Sequence, residues 1–375
     1  MRKILYISGT RADYGLMRRA LGAIAEQRGL KLEVVATGMH LMKGCGRTIE
    51  EIRKDGFKIH RISAVYDGFD QAAMARFIGK FILVFTQKLK VIKPDIILVL
   101  GDRAEMLAAA VAGVYSGIPV AHIHGGDISS TVDEISRHAI TKLAHLHFPA
   151  TAASAARIIK MGEEPWRVYT VGAPGLDGII TEASCAKNDL AKRFNLDLSL
   201  PLVLVLQHPV TCEITVAGRQ MRETMSALRK LNLQAVLAYP NADAGSVEMI
   251  RVIEGYRDLS FLRVYKNIPH HEFLSLMKFA SVMLGNSSSA IIEAAAFGLP
   301  VVNIGTRQQG RERGSNVIDT AHDRGEIAAA IKHCLAGRKR KFFSPYGNSG
   351  AGTKIARILA RVHIDKKLLQ KKLAY

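Results

Sequence analysis

Short apolar runs rich in β-branched residues alternate with helix-length segments, and the alternation runs along the chain twice. In the first half, KILYIS (3–8), KLEVVAT (31–37), DIILVLG (95–101) and PVAHIH (119–124) are near-continuous hydrophobic runs, and LHFPA (146–150) reads as a further strand. Such runs fit strands buried on both faces, as in a parallel sheet. Helical periodicity lies between them, for example over Leu16–Gln27 and Ala104–Tyr115. In the second half, LVLVLQ (202–207), QAVLAY (234–239), SVMLG (281–285) and VVNIG (301–305) repeat the plan, with helices expected over Arg219–Leu231 and His271–Lys278. This βαβ logic predicts an α/β protein with two Rossmann-like, doubly wound domains facing across a cleft. A Gly-Ala-Pro-Gly turn and a polar helix between Gly172 and Leu200 mark the junction. The expected bounds are 1–175 for the first domain, 176–350 for the second and 351–375 for a final helix.

Open α/β sheets bind ligands beyond the carboxyl ends of their strands. The polar residues of this chain collect there. Gly9-Thr10-Arg11, Gly38-Met39-His40, Asp102-Arg103 and His124-Gly125-Gly126-Asp127 follow the four runs of the first half. His208, Pro240-Asn241, Asn286-Ser287 and Thr306-Arg307 follow those of the second.

In GNSSSAIIEAAAFGLP (285–300), three serines stand between a strand and an Ala-rich helical stretch. A helix start offers free N–H groups and a partial positive charge, both suited to phosphate, and Ser287 and Ser288 add hydroxyl donors. The G-x-S-x-G elbow of a serine nucleophile is incomplete here, since its second glycine is missing. Simple capping accounts for a serine but not for Glu293 in the second turn. A carboxylate so placed accepts both ribose hydroxyls of a nucleotide. Arg307 and Arg311, in the loop TRQQGRERG, suit a diphosphate, and Arg11 offers an approach to the same anion from the other domain.

His122 and His124 share a strand face, yet zinc needs three or four converging ligands and no third is evident, so no metal is expected. His124 reads as an acid or base and His122 as a structural histidine. Thr131-x-x-Glu134 has the form of a capping box, which leaves Asp133 the freer carboxylate, with Arg137 one turn on. Asp102 ends a buried strand beside Arg103. Asp102, His124, Asp133 and His208 form the candidate acid/base cluster.

The formal charge is +19, and from Ile331 onward twelve Lys/Arg face the single acid Asp365. Ile355, Ile358, Leu359 and Val362 recur at helical spacing among these charges, which predicts a packed amphipathic helix with a solvated basic face. No aromatic-studded basic motif points to nucleic acid. Four isolated cysteines form no CxxC pair, so reduced thiols and a cytoplasmic location are expected. The first apolar run is too short for a signal-peptide core. The longest apolar region, Phe77 to Leu100, is broken by Lys80, Lys88, Lys90, Lys93 and Pro94, so no membrane span is expected.

With these residues in hand, the chain resembles the UDP-N-acetylglucosamine 2-epimerases, especially the hydrolysing branch that feeds sialic and related nonulosonic acids. SGTRADYGL (8–16), LGDRAEMLA (100–108), HIHGGD (122–127), DEISRHAITKLAHLHF (133–148), QHP (207–209), YPNADAGS (239–246) and GNSSSAIIEAAAFGLPVVNIGTRQQGRE (285–312) carry the resemblance in collinear order. It implies a GT-B-like fold whose final helix crosses back to the first domain. It implies that Ser287 and Ser288 hold a diphosphate, that Glu293 binds ribose, and that His208, Asn241 and Arg307 help hold the nucleotide. Arg11 and Arg103 are further binding candidates. Asp102 and Asp133 match positions where the family carries catalytic carboxylates. His124 stands where some members carry a glutamate, and the loop Ile128–Thr131 lacks an acid found in many relatives.

The activity implied is conversion of UDP-GlcNAc and water to ManNAc and UDP, by elimination to a 2-acetamidoglycal and rehydration, without a cofactor and in a homodimer or homotetramer. The alternatives are a hydrolysing 2-epimerase of a UDP-diacetamido-trideoxyhexose or GDP-GlcNAc, a non-hydrolysing UDP-GlcNAc 2-epimerase, a glycosyltransferase, and a nucleotide-sugar-binding protein without turnover. The apolar helix Phe77–Ile92 reads either as a subunit interface or as core.

Overall fold

The computed structural model describes residues 1–42, 48–64, 71–128, 132–210, 212–241, 245–337 and 341–374, the side chains of 71, 72, 132 and 133 excepted. The chain divides into two units: Met1–Asp177 with Tyr346–Tyr375, and Gly178–Pro345.

Each unit is built on a six-stranded parallel sheet. In the first, β1 (Arg2–Ser8), β2 (Leu30–Ala36), β3 (Lys58–Arg61), β4 (Ile96–Leu100), β5 (Val120–Ile123) and β6 (Leu146–Phe148) lie in the order β3-β2-β1-β4-β5-β6. In the second, β7 (Val203–Leu206), β8 (Ala235–Ala238), β9 (Leu262–Tyr265), β10 (Val282–Gly285), β11 (Val301–Ile304) and β12 (Val317–Thr320) lie in the order β12-β11-β10-β7-β8-β9. Both orders are the Rossmann order, in which the direction of winding reverses beside the first strand. The reversal falls between β1 and β4 in one unit and between β7 and β10 in the other. Those two strand ends are where a doubly wound sheet opens a crevice for a ligand.

The strands carry continuous apolar runs because helices cover both faces. Ile4, Tyr6, Val34 and Leu98 face one layer, and Leu5, Ile7, Val35, Ile97 and Val99 face the other. Phe77, Phe81, Phe85 and Leu89 recur every fourth residue on the helix Gln71–Ile92 and are buried against the second of these faces. That apolar stripe is core, while Leu83 and Val91 on its far side are exposed.

Three strands were not anticipated: β3, β9 and β12. All are edge strands, and their sequences KIHR, LRVY and VIDT carry polar residues because one side stays near water. The first helix runs over Arg11–Glu26 and so begins ahead of Leu16. Thr10 and Asp13 cap it reciprocally: Thr10 Oγ1 accepts from the Asp13 amide at 3.2 Å and Asp13 Oδ2 from the Thr10 amide at 2.7 Å. Arg11, expected in the strand-end loop, is therefore the first helical residue.

The C-terminal stretch completes the first unit. The helix Ala351–Arg361 packs on Arg11–Glu26, burying Ile355 and Leu359. The two backbones approach so closely that a Cβ on Gly352 would lie 2.5 Å from Ala20 Cα. Asp177 caps the helix: Oδ1 accepts from Gly350 N at 2.6 Å and Ala351 N at 3.0 Å, and Oδ2 from Gly352 N at 2.6 Å. Further on, buried Arg167 donates to the carbonyls of Leu368 and Lys367, each at 2.8 Å. Lys371 donates to the carbonyls of Lys142 at 2.6 Å and Ala144 at 2.8 Å and pairs with Glu163 at 2.7 Å. Part of the basic tail therefore serves to dock it. Among the described residues, no helix is long and apolar enough to cross a membrane.

Candidate active site

In the first unit, Asp102 leaves β4 at the reversal point and is paired with Arg137, which projects from the helix Val132–Leu143. The other terminal nitrogen of Arg137 donates to the Asp127 carbonyl at 2.8 Å. One largely buried guanidinium thus joins the β4 end to the loop after β5.

That loop is tightly held. His124 has φ 59°, in the left-handed region that non-glycine residues enter at a cost of order 1–3 kcal/mol. Its amide donates to Phe148 O at 3.1 Å, and its Nδ1 lies 3.0 Å from Asp127 Oδ2. The other carboxylate oxygen of Asp127 accepts from Ser154 Oγ at 2.8 Å. Gly126 has φ 77°, and a Cβ there would lie 2.4 Å from Ser154 O, so only glycine lets the turn sit so close to the helix Ala152–Lys160. Arg157, from the same helix, reaches Gly126 O. His122 is fully buried, with Nε2 2.7 Å from Gly101 O and Nδ1 3.2 Å from Thr141 Oγ1. Burial pushes its imidazole down to about 3, so it is a neutral structural histidine. Asp133 lies in the first turn of Val132–Leu143, but its side chain is outside the described residues, as is the loop 129–131 with Thr131.

Arg11 and Arg103 already have partners. Arg11 pairs with Glu51 at 2.9 Å at the surface. Arg103 forks onto Glu105, with Nε to Oε2 at 3.1 Å and Nη2 to Oε1 at 3.2 Å. Glu105 is wholly buried in space left by Gly9 and Gly38, where added Cβ atoms would lie 2.4 and 2.7 Å from its carboxylate atoms. Nearby Asp13 is pushed up to about 6, first by burial, although Ser8 and Thr10 donate to it.

In the second unit, the end of β10 approaches β7 so closely that a Cβ on Gly285 would lie 2.1 Å from Leu206 O. Asn286 follows, wholly buried. Its Oδ1 accepts from the His208 amide at 2.7 Å and its Nδ2 donates to the His208 carbonyl at 2.9 Å. The Asn286 carbonyl accepts from Arg307 at 3.2 Å and from Gln308 at 3.0 Å. The Asn241 amide donates to His208 Nδ1 at 3.0 Å. Burial, then the charge of Arg307, pushes His208 down to about 3, so its ring is neutral at physiological pH. With Nδ1 accepting, the ring proton resides on Nε2. From sequence His208 was a candidate both for the acid/base cluster and for holding a nucleotide; the structure places it with Asn241, Asn286 and Arg307.

Ser287 is the N-cap of the helix Ser288–Ile292, its Oγ accepting from Ser289 N at 3.3 Å. The Ala-rich stretch is not one helix: after five α-helical residues it tightens into a 3₁₀ turn at Ala294–Phe297. A helix this short has only a small dipole. Glu293 sits at the join, nearly buried, and among the described residues its carboxyl has no hydrogen-bond partner. Burial and then the charge of Glu182 push it up to about 7.

Asp127, Arg137, Ser154 and Asn286 were not singled out as site residues. The signal for Asp127 lay in HIHGGD itself, an acid three residues beyond a histidine across two glycines.

A profile of the UDP-N-acetylglucosamine 2-epimerases matches residues 22–360. The chain belongs to the UDP-N-acetylglucosamine 2-epimerase family. Among curated relatives, the UDP-N,N′-diacetylbacillosamine 2-epimerase (hydrolyzing) of Legionella pneumophila is 40% identical over 376 residues, spanning 100% of both chains. The UDP-N-acetylglucosamine 2-epimerase of Neisseria meningitidis serogroup B is 32% identical over 90% of this chain and 89% of its own. The crystal structure of UDP-GlcNAc 2-epimerase from Neisseria meningitidis bound to UDP-GlcNAc has a TM-score of 0.79 at 17% identity, covering 96% of this chain and 100% of that one. That likeness shows the shared fold of this epimerase family: two Rossmann-like units of the GT-B kind.

Proposed function

We propose that this family member is a hydrolysing 2-epimerase of a UDP-linked 2-acetamido sugar. The observation that carries this reading is the 40% identity, end to end, with an enzyme named as hydrolysing. The same match favours UDP-N,N′-diacetylbacillosamine as the first substrate to test, ahead of the UDP-GlcNAc to ManNAc conversion expected from sequence.

In this reading the second unit holds the nucleotide. Glu293 accepts the ribose hydroxyls, Ser287 and Ser288 donate to the diphosphate, and Arg307 neutralises it. His208 donates through Nε2 and Asn241 adds a polar contact. The first unit moves protons. Asp102, His124 and Asp133 share removal of the C2 proton and its return on the opposite face. The C2 proton is weakly acidic, so stabilisation of the leaving diphosphate supplies most of the rate. Loss of UDP from C1 gives a 2-acetamidoglycal. Water then adds at C1, and the free sugar leaves with inverted C2.

The test is incubation with UDP-N,N′-diacetylbacillosamine and with UDP-GlcNAc in D2O. The reading requires free UDP and a free sugar carrying deuterium at C2. A product still linked to nucleotide would make the protein a non-hydrolysing epimerase, and a free sugar without label would exclude elimination.

A further inference from the structure

We propose that Asp127 is a positioning residue that fixes the tautomer of His124, so that Nε2 is the atom that exchanges the proton with the sugar. The inference deepens the functional reading and rests on His124 being one of its proton-transfer groups.

Three observations carry it. Asp127 Oδ2 lies 3.0 Å from His124 Nδ1, and Ser154 Oγ donates to Asp127 Oδ1 at 2.8 Å. Ser154 is itself held, since its Oγ accepts from Thr151 Oγ1 at 3.0 Å, and all three partners of the chain Thr151–Ser154–Asp127 are buried. A carboxylate only accepts, so the proton it shares with the imidazole resides on Nδ1, and a neutral ring then carries its lone pair on Nε2. Second, the backbone is fixed around the pair. The Asp127 carbonyl is bound by Arg137, the Gly126 carbonyl by Arg157 and the His124 amide by Phe148 O. Third, His124 is kept at φ 59°. A left-handed histidine persists only where its surroundings over-determine it, and such positions cluster at working sites.

The placement suits the chemistry. A glutamate base needs no partner to choose which atom takes the proton, because its two oxygens are equivalent. A histidine has two different nitrogens, and one must be silenced for the other to act alone. A third group that orients a base is the arrangement expected when the base must be held in one protonation geometry.

The test begins without substrate. In ¹⁵N-histidine-labelled protein at pH 8, with the His124 signals assigned by their loss in His124→Gln, Nδ1 is expected to be protonated and Nε2 bare. In Asp127→Asn, which keeps the shape, the ring is expected to shift toward the Nε2–H form or a mixture. A wild-type ring protonated on Nε2 overturns the proposal. Turnover of UDP-N,N′-diacetylbacillosamine or UDP-GlcNAc, whichever is consumed, is then compared. Asp127→Asn is expected to lose about 10²-fold or more in kcat, the usual scale of general acid–base catalysis, with KM changed little. Ser154→Ala should lose less, and Asp127→Asn combined with His124→Gln should be no worse than His124→Gln alone, as for groups acting as a unit. Should His124→Gln retain full turnover, the reading of His124 fails. Should His124→Gln be inactive while Asp127→Asn is as fast as wild type, the positioning role alone is overturned.

Discussion

Asn286 holds His208 by both of its main-chain groups, accepting from the amide at 2.7 Å and donating to the carbonyl at 2.9 Å. The side chain imitates a strand and extends the β7–β10 pairing one step past its end. Asn286→Asp keeps the acceptor and loses the donor, leaving two buried oxygens face to face. An unsatisfied buried group costs roughly 1–3 kcal/mol. Denaturant unfolding should show that loss, and UDP titration calorimetry should show affinity reduced about tenfold, since every 1.4 kcal/mol is a factor of ten.

The proposed ribose contact of Glu293 predicts a nucleotide affinity that depends on pH. Its carboxyl is raised to about 7 in the unliganded protein, and the proposed ribose contact needs the ionised form. Binding must then expel a proton below that value, so UDP affinity should rise as pH climbs from 5.5 toward 8 and level off. Calorimetry in buffers of different ionisation enthalpy should detect proton release near pH 6.5. In Glu293→Gln the dependence should vanish and affinity should fall.

The same residue should trade stability for function. Its folded-state pKa lies above the unfolded value, so the native state favours the neutral form. Ionisation therefore destabilises the fold progressively as pH rises from about 4.5 through 7. Glu293→Gln removes that penalty. Its Tm should exceed that of the wild type at pH 8, and the gap should shrink toward pH 5.

Asp102→Asn separates chemistry from binding. Turnover of the consumed nucleotide sugar should fall by about 10²-fold or more, while UDP alone should bind as in wild type, because its proposed contacts lie in the second unit. A parallel loss of UDP affinity would place Asp102 among the binding groups.

Asp177 ties the C-terminal helix into the first unit. Asp177→Ala frees three amides at the start of Ala351–Arg361. Loss of such a cap costs about 0.5–2 kcal/mol. Hydrogen exchange should accelerate over 351–361 and over the facing helix Arg11–Glu26, and leave 178–345 as it was.

The interior strands were legible because burial on both faces leaves a continuous apolar run. β3, β9 and β12 were not, because an edge strand keeps polar residues and its pairing is settled by a neighbour far away in sequence. Strand-end position singled out Asp102, His124 and His208 as candidates, since it requires only a strand and the residues directly after it. It was silent on Arg137 and Ser154, which reach their partners from other helices. It also could not show that Arg103 is committed to Glu105, because that pairing depends on the space beneath Gly9 and Gly38.

The returning C-terminal stretch also sets an order of birth. Chains are made from the amino end, and domains tend to fold as they emerge. Here the second unit is one continuous segment, whereas the first needs residues 346–375, which are made after it. The unit whose synthesis starts earlier is thus the one that must wait. Until Gly352 meets Ala20 and Asp177 caps the incoming helix, the part of Arg11–Glu26 that faces Ile355 and Leu359 has no cover. A chain truncated after residue 345 should hold a folded second unit and an unfinished first one.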